Sequence, residues 1–165
     1  MDDKTVNIYS TRLTEDQLVS LVIESTYICE RSDLCILDAA DKAAALLESV
    51  FDASNLTEEH FWLIALNSAK RVIGLFEISH GMINTSYAGP REIYLRALLC
   101  GAASIIIAHN HPSGSLEVSE NDRNTTIRIT YSGILMGIKL DDHIVCAGGS
   151  FTTATPDLFY KEAVR

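Results

Sequence analysis

The sequence predicts a mixed α/β fold in which a central β-sheet is sandwiched by helices. Strand-like and helix-like patterns alternate within a short span of chain, and this order favours one sheet covered by helices. Two apolar runs joined by a short polar segment predict a β-hairpin, and three consecutive isoleucines predict a buried central strand. The chain has 165 residues, 47% of them hydrophobic, which is the size and composition of a single globular domain.

The first half of the chain contains a predicted strand, a helix and the hairpin. Residues Thr5–Leu13 alternate loosely and are rich in β-branched side chains, so they favour a strand. Residues Asp38–Phe51 have apolar side chains at helical spacing, and Asp38 is suited to be the N-cap of this amphipathic helix. The hairpin pairs Phe61–Leu66 with Val72–Ile78.

The second half contains two further helices and two strands. A proline followed two residues later by an acid is a common start of a helix, and a glycine is a common end. The isoleucine run is too apolar for the edge of a sheet. In chain order these elements are a helix from Pro90 to about Cys100, strand Ser104–Ala108, a helix from Ser119 to near Gly133, and strand Lys139–Cys146.

Charge and hydrophobicity exclude several classes of protein. The 13 Lys and Arg residues are outnumbered by 22 Asp and Glu residues, so the formal net charge is −9 and direct binding to DNA is disfavoured. The longest uncharged hydrophobic stretch, Ala97–Ala108, is shorter than the ~20 residues that cross a bilayer. The first residues lack the basic flank and apolar core of a signal peptide. We therefore expect a cytoplasmic protein with no membrane partner.

The cysteines also indicate a cytoplasmic protein. They form no C-x-x-C pair, and two of them lie within strongly apolar runs. Because no export signal accompanies them, we expect buried free thiols rather than disulfides. The residues concerned are Cys29, Cys35, Cys100 and Cys146.

The end of the isoleucine strand has the residues with the clearest chemistry. Side chains two apart on a strand point to the same face, so His109 and His111 lie side by side and suit two nitrogen ligands of one metal ion. Asp122 follows in the first turn of the next helix, where its carboxylate can reach back as a third ligand. Two histidines and one carboxylate leave a coordination position open for water, which is typical of a catalytic zinc site.

Each of these residues also has a simpler interpretation. The two histidines can be ordinary loop residues. Ser119-x-x-Asp122 matches a capping box with Asp in place of Glu, which defines the start of a helix without any metal. The two interpretations of Asp122 are compatible, because a cap would also aim its carboxylate.

The other histidines are expected to be structural. Asp142 and His143 lie on the last predicted strand, where we expect packing and hydrogen bonding rather than a second metal site. His60 and His80 have no evident partners in the sequence and are expected on the surface or in turns.

The pattern H-x-H-P-S-G followed by S-x-x-D resembles the JAMM motif of the MPN (JAB) family of zinc metalloproteases. The flanking segments Pro90-Arg91-Glu92 and Asp142-His143-Ile144 resemble the RadC-like branch of that family. The resemblance implies a cytidine-deaminase-like MPN/JAB fold. On this basis we assign residues 58–165 to a RadC-like metal-binding domain, and residues 1–57 to an N-terminal strand and helix segment of the same domain.

The resemblance also implies roles for individual residues. A glutamate from an earlier strand acts on the bound water, and the candidate here is Glu77. Its rival is Glu92, whose place in the first turn of a helix is already explained by the helix dipole. Ser119 would donate to the developing oxyanion. The implied zinc, one ion per chain, would be held by His109, His111 and Asp122.

The implied function is hydrolysis of a peptide or isopeptide bond in a substrate of unknown identity. One alternative is a metal-binding interaction module without physiological hydrolysis, but such a module would not need a water-activating acid. Another is a RadC-type accessory protein of DNA repair or mobile elements. The net charge of −9 and the lack of clusters of basic and aromatic residues disfavour direct DNA contact in that alternative.

Overall fold

The computed structural model describes residues 4–29, 35–81 and 89–154, which form one β-sheet and the helices packed on it. The remaining residues of the two predicted segments lie outside the described residues, and the division at residue 57 stays a prediction. In chain order the elements are β1 (Thr5–Leu13), β2 (Val19–Ile28), α1 (Ala40–Phe51), a 3₁₀ turn (Ala53–Asn55), β3 (His60–Leu66), β4 (Val72–His80), α2 (Pro90–Leu99), β5 (Ser104–Asn110), α3 (Glu120–Met136), β6 (Lys139–Ala147) and β7 (Ser150–Thr153).

The strand pairing confirms the predicted mixed sheet. Its seven strands lie in the order β2-β1-β4-β3-β5-β6-β7. The predicted hairpin is the antiparallel pair β3 and β4, and β3 also pairs antiparallel with β5. β5 pairs parallel with β6, and all of its residues are buried, so the isoleucine strand is central as predicted. β1 joins the sheet parallel to β4 through the pair Ile8 and Leu75.

Helices cover both faces of the sheet, as the sequence predicts. On one face, Leu46 and Leu47 of α1 pack with Trp62 of β3 in a buried cluster. On the other face, Ile93 of α2 and Ile129 of α3 pack with Leu63 of β3. Because neighbouring residues on a strand point to opposite faces, Trp62 and Leu63 serve as markers of the two faces. Among the described residues, no helix is long and apolar enough to cross a membrane.

Two predicted helix ends differ from the structure. α1 has Ala39 as its N-cap, without a side-chain cap, so the prediction that Asp38 caps this helix is wrong. Asp38 lies one residue too early and instead pairs with Lys42 at 2.7 Å. α3 continues past Gly133 to Met136 and ends at Gly137, whose φ of 68° is in the left-handed region that favours glycine.

The two edge strands are not predicted from the sequence. β2 and β7 lie at opposite ends of the sheet, and each pairs with a single neighbour. Most residues of β2 are exposed, and β7 has only four residues. The apolar pattern that identifies a strand is weak in both, because it reflects burial.

The prediction of free thiols is confirmed. All four cysteines are free, and three of them are buried. The Sγ atoms of Cys29 and Cys35 lie 3.2 Å apart without a bond between them. Burial raises the pKa of Cys146 to about 12, with a smaller effect of the Glu48 charge, so this thiol stays protonated at neutral pH.

Gly133 sets how closely α3 approaches α2. A Cβ atom at this position would lie 2.4 Å from both the Ile138 carbonyl oxygen and the Tyr94 hydroxyl. We therefore expect Gly133→Ala to lower the free energy of unfolding by about 1–3 kcal/mol, the usual cost of overpacking. Without that clash, replacing glycine by alanine in a helix is stabilising by roughly 0.5–1 kcal/mol.

Urea denaturation would measure this effect. The matched control is Asn124→Ala at an exposed position of α3, which should change stability by no more than about 0.5 kcal/mol. A Gly133→Ala protein as stable as the wild type would show that α2 and α3 are not in tight contact here.

Candidate metal centre

The structure brings the three predicted metal ligands together. His109 is the sixth residue of β5, His111 follows the strand, and Asp122 is in the first turn of α3. The Nε2 atoms of His109 and His111 are 2.9 Å apart. Oδ1 of Asp122 lies 3.2 Å from Nε2 of His109, and Oδ2 lies 3.7 Å from Nε2 of His111.

A chain of hydrogen bonds behind His109 determines which of its nitrogens has the proton. The Thr126 hydroxyl donates its only proton to the Asp122 carbonyl at 2.7 Å, so it must accept from Nδ1 of His143, also at 2.7 Å. Burial, and then the charge of His109, holds the pKa of His143 well below its usual value, so this ring is neutral. Nε2 of His143 therefore accepts from Nδ1 of His109 at 2.9 Å.

His111 is oriented in the same way. Its Nδ1 is 2.8 Å from the Ser115 carbonyl oxygen, which can only accept a hydrogen bond. When His109 and His111 are neutral, each thus has an Nε2 lone pair that points into the cluster. Two such lone pairs 2.9 Å apart repel each other unless a proton or a metal ion lies between them.

The cluster therefore fits a divalent metal ion such as zinc. Two imidazole nitrogens and one carboxylate oxygen are typical zinc ligands. Burial by itself would raise the pKa of Asp122, but the hydrogen bond and charge of His109 and the hydrogen bonds from Ser119 outweigh it, so the pKa lies well below its usual value. Asp122 therefore stays ionised. A proton shared between Asp122 and His109 would compete with a metal ion for the same position.

Asp122 is both a helix cap and a member of the cluster, so its position is compatible with both interpretations. Oδ2 accepts hydrogen bonds from the Ser119 backbone N–H at 2.8 Å and from the Ser119 hydroxyl at 2.6 Å. The Ser119 Oγ in turn accepts from the Asp122 N–H at 3.1 Å, which completes the capping box. Oδ1 remains directed at His109. The proton of the Ser119 hydroxyl is engaged with Asp122, and its role as an oxyanion donor stays a prediction.

Asp142 and His143 make hydrogen bonds of the kind that the sequence predicts for this pair. His143 is fully buried and donates and accepts hydrogen bonds as described above, and its own backbone N–H donates to Oδ1 of Asp142 at 2.8 Å. The imidazole of His143 orients His109 and is not one of the candidate metal ligands among the described residues.

The structure does not bring Glu77 to this cluster. In the regular part of the β3–β4 hairpin, Leu63 pairs with Phe76 and Trp62 pairs with Glu77. Residues paired across strands share a face, so Glu77 projects from the Trp62 face. His109 pairs with Phe61 and stacks on its ring, on the opposite face.

Glu77 instead contacts the two histidines for which no partner is expected. Its carboxylate oxygens lie 2.6 Å from Nδ1 of His80 and 3.4 Å from Nδ1 of His60. Of these two histidines, expected on the surface or in turns, His80 is exposed and His60 is half-buried, and both lie on strands. The rival Glu92 is in the first turn of α2, where its carboxylate lies 3.6 Å from the Arg91 guanidinium.

The acid that does face the cluster is Glu59, which the sequence analysis missed. Glu59 is half-buried just before β3, two residues from Phe61 and so on the same face. Burial raises its pKa above the usual value, the charge of Asp122 adds to this effect, and the charges of His109 and His111 oppose it. The Glu59 carboxyl group is thus within electrostatic reach of all three candidate ligands.

Asn110 holds this segment in place. Its side-chain amide donates to the Glu58 carbonyl at 2.9 Å and accepts from the His60 N–H at 2.7 Å, so it bridges the residues on either side of Glu59. The sequence does contain a signal for Glu59, since Glu58 and Glu59 form an acidic pair shortly before the predicted strand Phe61–Leu66. The significance of this pair depends on the pairing of β3 with β5, which the sequence alone did not show.

The hydrogen-bond chain predicts an effect of Thr126 on metal affinity. In Thr126→Val, Nδ1 of His143 loses its acceptor, and the tautomers of His143 and His109 are no longer fixed. We expect zinc affinity to fall about 10–100-fold, the usual effect of removing an outer partner of a metal ligand. The control is Thr130→Val, because the Thr130 hydroxyl is buried without a hydrogen-bond partner among the described residues. Equal zinc affinities in competition titrations would contradict this assignment of the tautomers.

Asp122→Asn separates the two roles of this residue. We expect zinc affinity to fall at least ~10-fold, with a change of about 1 kcal/mol at most in the free energy of unfolding. Ser119→Ala is the matched variant, since it removes the cap hydroxyl and keeps the carboxylate. It should cost about 1 kcal/mol of stability and retain more of the zinc affinity. Wild-type zinc affinity in Asp122→Asn would make Asp122 a cap only.

Comparison with known proteins identifies the family of this chain. The family model described as RadC-like JAB domain matches residues 37–156. UPF0758 proteins are 40% identical over 99 residues in Rubrobacter xylanophilus, 38% over 119 residues in Clostridium kluyveri and 36% over 133 residues in Staphylococcus aureus. These matches cover 60%, 72% and 81% of this chain and 44%, 51% and 57% of the respective relatives, so the chain spans about half of their length. The chain belongs to the RadC-like JAB domain family.

Proposed function

We propose that this chain is a zinc-dependent hydrolase that cleaves a peptide or isopeptide bond. The supporting observation is the meeting of two histidine Nε2 atoms, an ionised carboxylate and a second carboxyl group of raised pKa at the end of β5. Such a combination provides both metal ligands and a proton acceptor in one place. Membership of the JAB-domain family supports metal-dependent hydrolysis as the class of reaction.

His109, His111 and Asp122 are the proposed zinc ligands. When bound there, zinc would lower the pKa of water toward ~7 and polarise the substrate carbonyl. Three protein ligands leave room for water and substrate, as a reactive site requires. The side chains of His111 and Asp122 are each 13% exposed, so the cluster can be reached from solvent.

Glu59 is the proposed general base and acid. Its raised pKa makes the carboxylate a better proton acceptor than an exposed glutamate. Glu59 would take a proton from the attacking water and return it to the leaving amine. The resemblance to the JAMM motif suggested Glu77 for this role, and we reassign it because Glu77 projects from the other face of the sheet.

Ser119 is the proposed donor to the developing oxyanion. Its hydroxyl lies beside Asp122 at the edge of the cluster. To donate to a substrate oxygen, the hydroxyl must leave Asp122, whose Oδ2 would keep the hydrogen bond from the Ser119 backbone N–H. The helix cap would thus persist while the hydroxyl proton is redirected.

The proposed function can be tested without knowledge of the natural substrate. Tag-free protein is stripped of metal, reloaded with zinc and incubated with mixed libraries of peptides and of lysine-ε-linked isopeptides, in water enriched in ¹⁸O. Mass spectrometry should detect zinc-dependent products with ¹⁸O in the new carboxylate. His109→Ala should lose the zinc ion of this centre and the cleavage activity, while circular dichroism shows that it remains folded.

Other outcomes identify the alternatives. A zinc-loaded protein that cleaves neither library would be a metal-binding interaction module and not a hydrolase. A salt-sensitive shift of DNA in electrophoresis at two salt concentrations would favour a DNA-associated role. Unfolding of His109→Ala would indicate that the metal is structural.

Glu59→Gln tests the assignment of the acid. An amide cannot accept a proton from water at neutral pH, so we expect hydrolysis to fall at least ~100-fold while zinc affinity is retained. The matched control is Glu58→Gln, an exposed neighbour whose backbone contact to Asn110 does not involve its side chain. Activity retained in Glu59→Gln but lost in Glu77→Gln would return the role to Glu77.

A further inference from the structure

We propose that His60, Glu77 and His80 form a second metal site, which binds a divalent transition-metal ion. We call these residues the hairpin cluster, because they lie at the open end of the β3–β4 hairpin. One ligand atom from each lies within 4.8 Å of the others. The site is independent of the proposed hydrolase centre, since it lies on the opposite face of the sheet.

The β-bulge is what builds the hairpin cluster. In a regular strand, residues three apart point to opposite faces, so Glu77 and His80 would be separated by the sheet. The register shift after Phe61 places one extra residue in β4, and Glu77 then lies on the same face as His80. His60 is paired with His80 and completes the group from β3. Bulges at the rim of a sheet commonly redirect a side chain toward a functional site.

His60 is held in an orientation that suits a metal ligand. Its ring stacks between Trp62, with ring centroids 5.7 Å apart, and His80, with centroids 5.5 Å apart. Nδ1 of His60 is buried and has no hydrogen-bond partner among the described residues. The nearest carboxylate oxygen, Oε2 of Glu77, is 3.4 Å away. A buried nitrogen without a partner is costly, and a metal ion on its lone pair would remove that cost.

The ligand types define the class of ion. Two imidazoles and one carboxylate suit zinc, cobalt, nickel or copper, whereas calcium and magnesium prefer oxygen ligands. Ligand atoms at ~2.0–2.1 Å from a tetrahedral zinc ion are about 3.3 Å apart. The separations from Glu77 to His80 and His60, 2.6 Å and 3.4 Å, need little adjustment to reach this value.

Solvent can supply the remaining ligand. A cavity of about 370 Å³ lined by residues 77–80 adjoins the cluster. The side chain of His80 is 63% exposed, and that of Glu77 is 38% exposed. The ion could therefore enter without any rearrangement of the core, and substitution of His80 should not disturb folding.

The first test counts zinc ions by calorimetric titration of tag-free, metal-stripped protein. The wild type should bind two equivalents of Zn²⁺. His80→Ala and Glu77→Gln should each lose one of them or bind it at least ~10-fold more weakly. The matched control is Glu24→Gln, an exposed strand glutamate that contacts Arg12 at 3.8 Å and should leave both equivalents unchanged. Asp122→Asn should lose the other equivalent, and His80→Ala combined with Asp122→Asn should bind none.

The second test locates the ion. Diethyl pyrocarbonate acylates an imidazole lone pair, and zinc on Nδ1 of His80 leaves a proton on Nε2 and no lone pair free. Saturating Zn²⁺ should therefore protect His80 from labelling in the wild type but not in Glu77→Gln, as measured by mass spectrometry of peptides.

The hairpin site is overturned if the titrations of His80→Ala and Glu77→Gln coincide with that of the wild type. It is also overturned if Zn²⁺ leaves the labelling of His80 unchanged, which would mean that the cluster is only a pair of histidine–carboxylate contacts. Failure of the hydrolase proposal has a different signature. In that case Asp122→Asn keeps its zinc, or the zinc-loaded protein cleaves nothing, while the effects of His80→Ala remain.

Discussion

Much of this structure depends on how one buried strand ends in polar residues. β5 finishes with His109 and Asn110, which are 5% and 1% exposed, and a buried polar group must find hydrogen-bond partners. Asn110 finds them in the segment before β3, and His109 finds one in His143 of β6. These bonds tie the end of β5 to the start of β3 and to the middle of β6. The cluster of candidate ligands forms at this end of β5.

The need of buried polar groups for hydrogen-bond partners also explains the position of the start of α3. Thr126 joins His143 to the backbone of Asp122, so the first turns of α3 are bonded to the side chain that orients His109. Further along α3, the Tyr94 hydroxyl of α2 donates to the Ile129 carbonyl at 2.8 Å. The helix is therefore positioned by buried hydrogen bonds at two levels. The position of α3 sets the distance of the Asp122 carboxylate from β5, and the capping box sets the direction in which this carboxylate points.

The sequence predicts those parts of the site that depend on residues close together in the chain, and not those that depend on pairing between distant strands. The spacing of His109, His111 and Asp122 reflects a strand, a turn and a helix start, which are all local, and these residues do meet in the structure. The choice of acid depends on long-range pairing. The face that Glu77 takes relative to His109 follows from the pairing of β4 with β3 and of β3 with β5, and these pairings place Glu77 on the Trp62 face, away from this cluster. The pairing of β3 with β5 brings Glu59 into place, although the two strands are about 40 residues apart in the chain.

Glu59 and His60, which are adjacent at the start of the hairpin, consequently point to different clusters on opposite faces of the sheet. Glu59 is directed toward the His109 face and His60 toward the Trp62 face, and the Asn110 side chain bonds the backbone on both sides of Glu59. A slip of β3 by one residue would exchange these faces and remove the acid from the cluster. The Asn110 amide opposes such a slip, because neither of its hydrogen bonds could form in the shifted register. One buried amide therefore keeps Glu59 beside the candidate zinc ligands and His60 beside Glu77.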